Sequence, residues 1–154
     1  MGEAVRGFSA RAVRDLADRL GPRLILVWAG LSIGVAFVAT PAKFMAPSLS
    51  LPVALDVGRQ TFRVYNRIEL ALVAALIALA LAARAPRGRY LAIAVPAAVV
   101  LVQAFWLIPA LDARVAMILA GAHAPPDSML HAGDIAAETL KVLWLLGFGL
   151  AARP

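Results

Sequence analysis

The stretch HAGDIAAETLKVLWLLGFGLAA, His131–Ala152, decides how the chain is read. Its second half is an apolar run suited to a membrane interior. Its first half places His131, Asp134, Glu138 and Lys141 at spacings of three, four and three, which on a helix puts all four on one stripe. At about 1.5 Å per residue, Lys141 lies roughly 15 Å beyond His131, close to the middle of a hydrocarbon core about 30 Å thick. Ionisable groups at that depth cost about 2.5–3.5 kcal/mol each on insertion scales. They must face protein, water or one another, so this segment is expected to carry the polar centre of a helical bundle.

Composition agrees. Of 154 residues 62 % are hydrophobic, and the mean hydropathy is +0.84. Soluble domains have about 45–50 % apolar residues, so a single polytopic membrane domain is expected, with the lipid bilayer as its first partner. The chain has no cysteine, which excludes disulfides, thiolate metal sites and thiol catalysis. The net charge of +6 does not point to nucleic acid, because the basic residues cluster beside hydrophobic segments, where orientation and anionic lipid account for them. Abundant Ala and Arg, with Lys43 and Lys141 as the only lysines, point to a GC-rich bacterial genome and hence to an inner membrane.

The expected fold class is all-α, an integral membrane four-helix bundle preceded by an amphipathic segment. Residues 1–23 form that segment, with Ser9 as a helix cap, Phe8, Val13, Leu16 and Leu20 on an apolar edge and arginines opposite. Residues 24–154 form the bundle, with spans at about 24–44, 64–84, 90–111 and 131–152. Gly30 and Gly34 suit close helix contact in the first span, which is expected to kink or stop at Pro41. Ser50 and Pro52 open a long helix, polar over Leu51–Tyr65 and apolar from Ile68. RAPRGR, Arg84–Arg89, is a tight turn. Pro96 is expected to kink the third span, which buries Gln103. Asp112–Leu130 is read as the longest loop, with a short interfacial turn at Val115–Ala120.

With both termini inside, Lys and Arg divide nine to five between the cytoplasmic and outer sides, which favours that orientation. Glu69, His131, Asp134 and Glu138 then share the outer half of the bundle with Lys43, Asp112 and Arg114, while the inner half is nearly apolar.

Three stretches resemble a family of small four-span membrane proteins that includes bacterial members of unknown function and a eukaryotic member associated with cisplatin resistance. They are PAKF at Pro41–Phe44, ALDVGRQTF at Ala54–Phe62 leading to Glu69, and a final pattern of Leu111–Arg114 followed by Leu130, His131, Glu138, Leu140 and Lys141. Their order and spacing over most of the chain after residue 24 carry the resemblance. It implies a four-helix integral membrane protein with no established reaction.

Three kinds of function are compatible with these residues. In the first, Glu138–Lys141 and Glu69–Arg67, or cross-helix versions of them, are neutralising pairs that fix helix register, in a scaffold or accessory subunit working as a homo-oligomer or within a larger membrane complex. In the second, Glu69, Asp134, Glu138 and Lys141, with His131 at the mouth, pass a proton, ion or small solute. In the third, Arg63, Asn66 and Glu69, an RxxNxxE pattern, bind glutathione, as in the membrane glutathione-transferase family. The polar set is Lys43, Arg63, Arg67, Glu69, Arg114, His131, Asp134, Glu138 and Lys141. His131 and Asp134 are the candidates for a divalent metal. No cofactor is expected, since two facing span histidines for haem are lacking and no nucleotide or hydrolase motif occurs.

Overall fold

The computed structural model describes residues 2–123 and 129–152, with side chains from residue 11. The expected roles of Arg6 and Phe8 lie outside the described side chains; Pro125–Ser128 and Arg153 lie outside the described residues. Every regular element is helical among the described residues. The first rod is α1 (Gly2–Ser32), a π-helical segment (Ile33–Ala39) and a last turn, α2 (Thr40–Phe44). The second is α3 (Leu51–Ala82). The third is α4 (Arg87–Val102), a second π segment (Gln103–Leu107) and α5 (Ile108–Leu119). The fourth is α6 (Met129–Ala151). Each rod packs on its neighbours in sequence, and α6 closes the ring by packing along α1.

Two boundaries differ from expectation. No break separates an N-terminal segment from the first span: α1 runs through residue 23, Ser9 lies inside it, and Ala17 and Gly21 are buried against the bundle. The stretch expected to form a loop after residue 111 stays helical to Leu119. There Gly121, at φ 69°, ends the rod in a Schellman turn, with its N–H on Ile118 and that of Ala122 on the Met117 carbonyl at 3.0 Å. Ser50 precedes α3 with extended backbone, and Pro52 sits in the first turn, but the Ser50 hydroxyl makes no capping bond.

The prolines are accommodated rather than terminating. A proline inside a helix lacks an N–H and presses its ring on the carbonyl four residues earlier. Both π segments end two residues before a proline, Pro41 and Pro109, and their wider turn relieves that crowding. Thr40 and Ile108 close them with N–H bonds to Val35 and Gln103 five residues back. Pro96 lies inside α4 and leaves the Ala92 carbonyl without its helical donor; Trp144 on α6 donates its indole N–H there at 3.3 Å.

Among the described residues, three helical stretches are long and apolar enough to cross a membrane: Arg11–Phe44, Leu51–Ala82 and Arg87–Leu119. The fourth rod differs because Asp134, Glu138 and Lys141 interrupt its apolar composition. The apolar core, built on Ile25, Trp28, Leu76, Ile93, Val100 and Leu145, fills the end of the bundle that holds the α3–α4 connection.

Candidate functional site: a polar node shared by the four rods

Beyond the apolar core, each rod contributes a polar side chain to one buried node. Trp28 and Ser32 lie one turn apart on α1, as do Tyr65 and Glu69 on α3. Gln103 begins the second π segment, and Asp134, Glu138 and Lys141 come from α6. Exposure is 0 % at Lys141, 1 % at Glu69, 3 % at Glu138 and 5 % at Gln103.

An ammonium group has three N–H donors, and Lys141 meets three acceptors. It ion-pairs with Glu69 Oε1 across the bundle, with Glu138 Oε2 on its own helix at 2.7 Å, and bonds Gln103 Oε1 at 3.3 Å. The Tyr65 ring centroid lies 5.3 Å from the same nitrogen, within cation–π range. Two fully buried carboxylates thus share one cation, and neutral donors hold the remaining negative charge. Trp28 Nε1 donates to Glu69 at 2.8 Å. The Tyr65 hydroxyl donates to Glu138 Oε1 at 3.0 Å, so the Ser32 hydroxyl, 2.6 Å away, donates to Tyr65. The Gln103 amide nitrogen donates to Glu138 Oε2 and to Asp134 Oδ1, both at 3.0 Å. Asp134, half-buried, is the node's edge.

The expected pair of Glu138 and Lys141 is present. Glu69, however, pairs with Lys141 and Trp28 rather than with Arg67. Arg67 is exposed, two residues before Glu69 and hence on another face of α3.

The other residues of the expected polar set stand apart. Arg63 joins Asp112 at 2.6 Å, a partly exposed bridge from α3 to α5. Glu69 lies six positions after Arg63, which turns them about 120° apart around the helix, so the RxxNxxE pattern does not converge on one point. Lys43 lays its ammonium on Gly58, where an added Cβ would stand 2.0 Å from it. Arg114 is half-buried on α5, and His131 is exposed at the start of α6. Among the described residues no group of three or more His, Asp or Glu is placed to hold a metal ion, so His131 and Asp134 gain no third ligand.

Trp28, Ser32, Tyr65 and Gln103 are node residues outside the expected polar set, and of these the two aromatics left a readable trace. Their signal was a polar-tipped aromatic four residues from a polar group, Trp28 with Ser32 and Tyr65 with Glu69; buried Trp and Tyr seek partners for their N–H and O–H. Comparison of the chain with known protein families, with curated proteins and with solved structures finds no match.

Proposed function

We propose that the chain is a four-span integral membrane protein of a bacterial inner membrane, with both termini cytoplasmic, acting as a scaffold or accessory subunit rather than an enzyme. The membrane reading rests on inverted polarity. Lys141 and Glu138 are buried, as is Glu69 facing them from α3, whereas Ile135, Leu140, Leu143 and Leu150 on the fourth rod are 47–70 % exposed. Exposed apolar surface of this extent marks contact with lipid or protein, and α6 spans the bilayer by turning its three charges inward. Two of the three resembling stretches also meet in space: Lys43 of PAKF lies on Gly58 of ALDVGRQTF.

The scaffold reading rests on one observation: Lys141 is held at once by acceptors from three rods, Glu69, Gln103 and Glu138. Such a site fixes helix register, and its charges are spent on one another. A second reading, a proton or cation path, draws on Asp134, which links the half-exposed end of the node to Glu138 through the Gln103 amide.

Reconstitution into vesicles with a trapped pH-sensitive dye separates the two. Under the scaffold reading, wild type and Glu138→Gln dissipate a pH or cation gradient no faster than empty vesicles, and the variant melts at a lower temperature. Flux supported by wild type and lost in a variant that still folds would overturn it in favour of transport.

A further inference from the structure

A partly open cavity of about 240 Å³ lies among the rods at the end opposite the Arg63–Asp112 bridge. Its walls are apolar, from Gly21, Pro22, Ile25, Leu76, Ile93 and Phe148, and Arg89 lines it as well. The space exists because small residues face it: an added Cβ on the buried Gly21 would meet nothing within 4 Å. Asp18 on α1 holds the Arg89 guanidinium at 2.5 Å.

The α3–α4 connection and the first turn of α4 frame the mouth, since Pro86 and Gly88 line the cavity and the exposed Arg87 lies between them. Arg84, in the same connection, has φ 50°. It ends α3 in a Schellman turn, with its own N–H on Leu81 and that of Ala85 on the Ala80 carbonyl at 2.9 Å. Glycine is the usual residue there because it adopts this conformation without strain. The chain keeps a guanidinium instead, and strain retained at one position points to a use.

An apolar slot lined by Arg89, with Arg84 and Arg87 next to its lining residues in the chain and Asp18 as the acid facing Arg89, matches a molecule with a hydrocarbon tail and an anionic head. We infer that this cavity binds one acyl chain of an anionic phospholipid from the adjacent leaflet, with its phosphate among the three arginines. The inference rests on the membrane embedding proposed above and is independent of the scaffold reading.

The test begins with carbonate extraction of membranes holding the full chain. Recovery in the soluble fraction would overturn the membrane reading, and the lipid site with it. Retained protein is then purified in detergent and examined by native mass spectrometry with phosphatidylglycerol or phosphatidylcholine of identical chains. The expected result is one retained phosphatidylglycerol, favoured over phosphatidylcholine by about fivefold for each engaged arginine. Gly21→Leu, which fills the slot, abolishes retention of either lipid, and Arg84→Gln with Arg87→Gln lowers the preference by about fivefold for each guanidinium lost while helix content stays unchanged. Equal retention of the two lipids by wild type, or undiminished phosphatidylglycerol on a folded Gly21→Leu protein, would overturn the lipid site while leaving the membrane reading intact.

Discussion

Lys141 and Glu69, 72 positions apart in the chain, form an ion pair in which both side chains are almost wholly withdrawn from solvent. A buried pair contributes little net stability over an apolar replacement, but losing one partner strands the other's charge. That asymmetry makes the pair a register lock: the fold tolerates it only when α3 and α6 are correctly aligned.

Lys141→Met is therefore expected to destabilise by about 3–5 kcal/mol, because Glu69 and Glu138 lose their common cation. Adding Glu69→Gln to Lys141→Met removes one stranded charge and should recover part of the loss. Thermal unfolding in detergent reads both. A double variant less stable than either single one would contradict the shared-cation arrangement.

Tyr65→Phe keeps the ring beside Lys141 and deletes only the hydroxyl that joins Ser32 to Glu138. A buried acceptor left without its donor costs about 1–3 kcal/mol, so the melting temperature should fall. Ser32→Ala, which leaves the Tyr65–Glu138 bond in place, should cost less. Equal losses would mean that the Glu138 contact is not the important one.

Two glycines should respond oppositely to alanine. At Gly149 an added Cβ would stand 2.6 Å from Leu26 Cδ2 and 2.8 Å from its Cγ, a branch atom that cannot swing away, so Gly149→Ala should cost about 1–3 kcal/mol by overpacking α1 on α6. At Gly58 the obstructing atom is the tip of the flexible Lys43, which can swing aside, and the better helix propensity of alanine offsets the loss. Gly58→Ala should be near neutral in the same unfolding assay. A loss at Gly58 equal to that at Gly149 would show that Lys43 is held in place.

The absence of native cysteine makes single-cysteine labelling clean. Ser48→Cys and Ala122→Cys, in the connections after the first and third rods, should react with an impermeant maleimide from the periplasmic side. Ala85→Cys should react only after the membrane is opened. Reversed labelling would invert the proposed orientation, and labelling of all three from one side would break the four-span topology.

The helical rods were legible because periodicity and apolar length are local properties. So were the stripe on α6 and the alignment of Ser50 and Pro52 with the start of α3. The stop expected near Pro41 falls at Phe44, the end of α2. The run after Leu111 misled, because its polar residues read as a loop although the rod stays helical to Leu119, and local sequence does not reveal the π segments that precede Pro41 and Pro109.

Local sequence established that four ionisable groups, His131, Asp134, Glu138 and Lys141, share one face of the fourth rod and need polar partners. It did not establish which. Glu69 had Arg67 near it in sequence, yet the partner is Lys141, because a charge in a low-dielectric interior is held by the nearest group on the same side of the packed helices. Trp28, Tyr65 and Gln103 joined the node for the same reason. Which faces meet depends on helix azimuth and ring order, and these follow from the packing of all four rods together.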